Sequence, residues 1–168
     1  MDAKRASRPT DDNRSAQVTL PSDREILIIR AFAAPREVVF EAWTTPEHLA
    51  QWWDPSRERL ASCDVDLRPG GRFRFIPGSA KPPFVGIYRE IVPPERLVFS
   101  TAVAPSGGES IGTLLFDERD GRTTLRLTIA CVSKADRDAL LAMRVDAGTL
   151  QTLENLSEYL ARMSPHGG

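Results

Sequence analysis

The sequence predicts an α+β fold: a seven-stranded antiparallel sheet curved around one long C-terminal helix, with two short helices between strands 1 and 2. Three observations carry that expectation. Short strand-like segments follow one another between residues 60 and 132, separated by compact turn signals that join neighbours antiparallel. An apolar stripe with helical spacing runs from Leu140 to Met163. All three tryptophans, Trp43, Trp52 and Trp53, lie in one helical stretch that follows the first strand.

The first strand is Glu25 to Phe32. One of its faces carries Ile26, Ile28, Arg30 and Phe32, the other Leu27, Ile29 and Ala31. Only Arg30 breaks the apolar character, so alternation does not tell which face is inward. Residues 34–53 then encode two short helices end to end. Pro35 occupies a first-turn position, where its missing N–H costs nothing, and Thr45 caps a second helix that opens on Pro46. Val39, Phe40 and Trp43 have the spacing of one inward face, continued by Leu49 and Trp53. This predicts that Trp43 and Trp53 are more buried than Trp52.

Six strands follow, at roughly 60–67, 71–77, 84–92, 96–103, 109–117 and 122–132. Pro69-Gly70-Gly71, Pro77-Gly78, Pro93-Pro94, Pro105-Ser106-Gly107-Gly108 and Asp120-Gly121 separate them. Asp120-Gly121 is the clearest two-residue hairpin signal of the set. The last element is a helix over 134–162, started by Ser133 with Asp136 at capping-box spacing, an Asp standing where Glu is usual. Leu140, Met143, Ala147, Leu150, Leu153, Leu156, Leu160 and Met163 form its stripe. A helix about 40 Å long, at 1.5 Å per residue, must lay that stripe on something apolar, and the concave face of the sheet is the available surface.

One domain, residues 23–163, accounts for these elements. Residues 1–22 mix Asp, Arg, Ser, Pro and Asn without periodicity and read as a disordered tail; residues 164–168 read as a flexible one. The 168 residues carry a net charge of −1, which gives no basis for a nucleic-acid partner. No apolar run is long enough for membrane insertion. The polar stretch from Met1 to about Gln17 has no secretory signal core, so a cytoplasmic location is expected. Cys63 and Cys131, the only cysteines, each lie in a predicted strand and read as buried free thiols.

Residues for catalysis or metal binding are sparse. His48, early on the second short helix, reads as a partly exposed surface residue, and His166 lies in the C-terminal tail. Two Cys and two His far apart give no zinc spacing, so no metal and no cofactor are expected. Gly70-Gly71 reads as a β-turn rather than a phosphate loop, because a strand follows it instead of a helix. Arg72 and Arg74 share one face of their strand, where solvated surface outweighs contact with an anionic ligand group. Asp64 and Asp66 share a face too, and Asp66 with Arg68 suits a surface ion pair. Glu90 also reads as a surface strand residue.

Three motifs in order carry a resemblance to a known family. They are the helical pair of residues 34–53, the Asp64 to Phe75 strand–turn–strand and the Gly86 to Phe99 strand–turn–strand. With them the chain, from about Arg24 to Met163, resembles the family related to the C-terminal domain of the activator of the ninety-kilodalton heat-shock protein's ATPase. That AHSA-like family belongs to the START-like, birch-pollen-allergen-like (SRPBCC) superfamily. The resemblance implies a helix-grip fold with a cavity between sheet and C-terminal helix. Many relatives carry Gly-Trp in that helix, the indole facing the cavity. Here the place reads Gly148-Thr149, which implies an enlarged or rewetted pocket to which the relatives' ligand preference does not carry over.

The functional expectation follows from that cavity. A hydrophobic or amphipathic small molecule is the expected partner, bound without chemistry. Trp43, Trp53, Phe73, Phe75, Phe84, Tyr88, Phe99, Phe116, Met143 and Leu150 are the candidate lining, with the Tyr88 hydroxyl as polar anchor. An enzyme of the START-like cyclase or hydrolase kind is the alternative. A chaperone-associated role is weaker, and chaperone binding is not expected, since fold kinship alone does not transfer function. A homodimer is left open.

Overall fold

The computed structural model describes residues 16–79 and 81–163. Eight strands and four helices follow in the order β1 (Gln17–Thr19), β2 (Glu25–Phe32), α1 (Arg36–Thr44), α2 (Pro46–Trp52), β3 (Leu60–Val65), β4 (Arg72–Pro77), β5 (Phe84–Val92), β6 (Arg96–Thr101), β7 (Ser110–Arg119), β8 (Arg122–Ala130), α3 (Lys134–Ala142) and α4 (Val145–Met163). All strands join one antiparallel sheet in the order β1-β2-β8-β7-β6-β5-β4-β3. The β3–β8 stretch is a meander. β2 closes it by pairing with the far strand, Ile28 opposite Leu127.

The expected α+β architecture is present, with eight strands rather than seven. The extra one, β1, lies in the stretch 1–22 read as a tail: Gln17–Thr19 pairs with Leu27–Ile29 at the sheet edge. Residues 1–15 and 164–168, the rest of the two expected tails, lie outside the described residues.

Alternation along β2 resolves the face left open by its sequence. Ile26, Ile28, Arg30 and Phe32 are buried, while Leu27, Ile29 and Ala31 are half-buried. Arg30 is tolerated inside because its Nη1 donates to Glu154 Oε1 at 2.9 Å across the core. Turns behave as their residues dictate. Asp120 and Gly121 take φ of 54° and 78°, the pair of positive values a tight two-residue hairpin needs. Register shifts between Leu60 and Ser62 and between Tyr88 and Glu90 put extra residues into β3–β4 and β5–β6, and such bulges bend a sheet toward the elements it holds.

Two helical expectations are corrected. The long helix is broken: α3 stops at Ala142, Arg144 takes a φ of 62°, and α4 begins at Val145. Ser133 does cap α3, its Oγ accepting from Asp136 N at 3.0 Å. The Asp136 carboxylate accepts from Ser106 Oγ at 2.8 Å, and the buried Arg137 guanidinium donates to Ser22 O. These contacts hold α3 at the edge of the fold in its own direction, so one straight rod over 134–162 does not form. The second correction concerns the tryptophans. Trp52 is 1% exposed and Trp53 only half-buried, the reverse of the expected order. Trp52 turns its ring into the core, its Nε1 donating to Ala42 O, whereas Trp53, the residue that caps α2 with its N–H still bonded to Leu49 O, keeps part of its ring uncovered. Thr45 and Pro35 stand at the helix starts, but neither supplies a side-chain cap.

Candidate functional site

The concave face of the sheet is built from registered pairs. On β6 and β7, Leu97 faces Leu114, Phe99 faces Gly112 and Thr101 faces Ser110. Gly112 has to be glycine: a Cβ there would stand 2.4 Å from Phe99 Cζ, so its bare backbone is the seat of the Phe99 ring. Gly86 seats Phe73 in the same way, also at 2.4 Å. Two aromatic rings are thereby laid flat along the sheet, which leaves room above them.

Trp53, at the C-terminal cap of α2, drops into that region. Its ring centroid lies 5.0 Å from Phe75, 5.1 Å from Phe84 and 6.0 Å from Trp43. Phe73 continues the cluster to Tyr88 at 5.1 Å. The cluster packs almost solid: a void of only about 20 Å³ remains among Trp43, Trp53, Phe73, Phe75, Phe84, Tyr88 and Phe99. Burial, and after it the neighbouring Cys63, push the Tyr88 hydroxyl upward, so it stays protonated. The Cys63 thiol is itself pushed up to about 12, by burial first and then by Asp64 and Glu47, and it is a poor nucleophile.

Next to this cluster the fold leaves a real gap. A cavity of about 250 Å³ lies between the sheet and α4. Phe99, Leu127 and Ile129 form its floor, Trp43, Trp53 and Phe84 one side, and Val145, Gly148 and Thr149 its roof. Among the described residues, Thr101, Ser110 and Thr152 are the other hydroxyls on its wall, and no charged residue lines it. Thr152 Oγ1 is occupied, donating to Trp53 O at 3.1 Å. The Trp43 indole N–H is buried without a hydrogen-bond partner among the described residues.

The candidate lining residues therefore divide. Trp43, Trp53, Phe84 and Phe99 border the cavity. Phe73, Phe75 and Tyr88 border only the small void beside it, so Tyr88 is not placed to anchor a ligand in the larger space. Phe116 packs against Phe40 of α1, ring centroids 5.2 Å apart, outside both. Met143 sits at the break between α3 and α4, 47% exposed, because the break turns it out of the stripe. Leu150 packs against the core without bordering the cavity. Gly148 itself does not pack closely on a sheet aromatic. A Cβ there would meet only Pro55 Cγ, at 4.0 Å.

Sequence reasoning missed Thr101, Ser110, Leu127, Ile129 and Val145. The signal for the first was present: Leu97, Phe99 and Thr101 alternate along one strand face.

The polar candidates lie elsewhere. His48 Nδ1 is 2.5 Å from the Tyr159 hydroxyl, which ties α2 to α4. Arg68 and Asp66 form an exposed ion pair at 3.0 Å, and Glu90 pairs with Arg96 at the surface. Arg72, Arg74 and Asp64 border a shallow depression on the other face of the sheet. Among the described residues no group of three His, Cys, Asp or Glu side chains is placed to hold a metal ion, and no helix is long and apolar enough to cross a membrane.

The family model described as "Activator of Hsp90 ATPase homolog 1-like protein" matches residues 33–161. None of the curated proteins matches the chain. Among solved structures, a Rhodobacter sphaeroides protein is similar with a TM-score of 0.80 at 25% identity, covering 88% of this chain and 99% of its own. A Nitrosomonas europaea protein reaches 0.77 at 23% identity, covering 87% and 99%. A Plasmodium falciparum protein described as an HSP90 activator reaches 0.65 at 24% identity, covering 82% and 96%.

Proposed function

The chain belongs to the family of Activator of Hsp90 ATPase homolog 1-like proteins, and from that premise we propose that it binds a small, largely apolar molecule in the cavity between sheet and α4. One observation carries the reading. The aromatic cluster beside it packs nearly solid, yet an apolar space of about 250 Å³ stays open beneath the first turns of α4. Cores are close-packed by default, so a gap of this kind calls for an occupant. The space is at the small end of ligand sites, which favours a compact molecule over a long lipid.

An enzyme working in this cavity would need a titratable group at its wall. The residues that line it supply aromatics, aliphatics and hydroxyls instead. A chaperone-directed role, the one described for the Plasmodium relative, would rest on the outer surface and leave the cavity unexplained.

Burying about 300 Å² of ligand at about 25 cal/mol per Å² gains roughly 7 kcal/mol before association costs, so micromolar affinity is the expectation. The test is a thermal-shift and titration screen of aromatic polyketides, flavonoids and fatty acids against the wild type and Gly148→Trp. Binding by the wild type that is lost on filling the roof, with the fold intact, supports the proposal. No binding by any of them overturns it.

A further inference from the structure

Resting on the reading of the cavity as a ligand site, we infer that the Thr101–Ser110 hydroxyl pair is its polar anchor and that the site selects an uncharged ligand bearing one oxygen function. The two residues are direct cross-strand partners on β6 and β7. Both side chains border the cavity, and they are only 8% and 5% exposed. Their oxygens are 3.3 Å apart, long for an O–H···O bond.

Counting donors and acceptors shows what the pair lacks. Two hydroxyls bring two protons and four lone pairs. The mutual bond uses one proton and one lone pair, and among the described residues neither oxygen has a second partner. One O–H donor therefore remains on a buried wall, where an unmet donor is costly. A carbonyl, phenol or alcohol oxygen on the ligand would take it. The other hydroxyls on the wall are differently placed. Thr152 already donates to Trp53 O, and Thr149 is half-buried on the helical roof.

The rest of the lining sets the charge. With no Lys, Arg or His among the described residues of the wall, an ionised carboxylate would enter without a counter-charge. Such burial is so unfavourable that the group neutralises or stays out. The ligand class is thus a compact neutral molecule, apolar along its body with a hydroxyl or carbonyl at one end.

Naphthalene, 2-naphthol and 2-naphthoate share one scaffold and separate these requirements. Each is titrated at pH 7 into the full chain while the methyl NMR signals of Leu127, Ile129 and Leu140 are followed. Naphthol should bind about tenfold tighter than naphthalene, the worth of one hydrogen bond, and naphthoate at least tenfold weaker than naphthol. In the Thr101→Val/Ser110→Ala variant the naphthol-to-naphthalene ratio should collapse to about one. Equal binding of naphthol and naphthalene by the wild type overturns the anchor alone, and needs no variant to show it. A naphthol preference that survives the double substitution does the same. Naphthoate binding as tightly as naphthol overturns the charge selection. If none of the three shifts these methyls, the cavity reading falls and the anchor falls with it.

Discussion

Residues 152–163 and 145–151 belong to one helix, yet the fold holds them differently. The later stretch buries Thr152, Leu153, Asn155, Leu156 and Leu160. It is tied down by Arg30 to Glu154, by Asn155 Nδ2 to Asp54 O at 2.9 Å, by Arg57 to Glu158 and by His48 to Tyr159. The earlier stretch buries nothing completely; all seven of its residues are half-buried, because the face that should meet the sheet looks onto the cavity. One end of α4 is a structural member and the other is a roof. A cavity in a helix-on-sheet fold is obtained by clamping a helix at one end only, which lets the other end span a gap without unfolding.

The largest effect should come from the clamp. Leu156→Ala removes a fully buried side chain and should cost about 2–5 kcal/mol in urea unfolding, whereas Leu150→Ala, in the roof, should cost about 1 kcal/mol. Equal losses would break the comparison. Gly148→Ala should move the other way. A Cβ has open space at that position, so the usual helical penalty of glycine is recovered and stability should rise by about 0.5–1 kcal/mol. A loss of stability there would mean that the roof sits closer to the sheet than its contacts indicate.

The smallest effect concerns Asp54, whose carbonyl receives Asn155. Burial works to raise its carboxyl, but hydrogen bonds from Lys81 and Ser56 outweigh that and hold it below the ordinary value. A depressed carboxyl contributes stability that is present above its unfolded pKa of about 3.9 and is lost as pH falls through the folded value. The wild type should therefore lose more stability than Asp54→Asn on acidification from about pH 4 downward. Parallel acid titrations of the two would remove Asp54 from the account of the clamp.

What the sequence showed of this arrangement depended on range. The Asp120-Gly121 hairpin and the Ser133 cap were legible because each is decided within a few residues. The break after Met143 was not. The apolar spacing Leu140, Met143, Ala147 runs straight through it, and what bends the chain there lies far off, at Ser22, Ser106 and Asp54. The Trp52–Trp53 order failed for a related reason: Trp53 keeps its helical spacing from Leu49, but the face it occupies borders a cavity that only the assembled sheet defines. β1 is three residues long and draws its pairing from β2, so no local pattern could announce it. For the cavity, the four aromatics that border it were in hand, but the hydroxyl pair was not. Thr101 and Ser110 are ordinary strand residues until the β6–β7 register sets them side by side.

The strand order also constrains how the molecule comes into being. The β3–β8 meander needs only hairpin closures, each between neighbours in the chain. β2 must wait for β8, the last strand made, and closing so long a loop carries an entropic cost that only a formed partner edge repays. During synthesis the N-terminal strand and the tryptophan helices thus emerge well before the edge they dock on. The same surfaces that later wall the cavity spend that interval uncovered, and the nascent chain passes through an aggregation-prone stage with its aromatic residues on the outside.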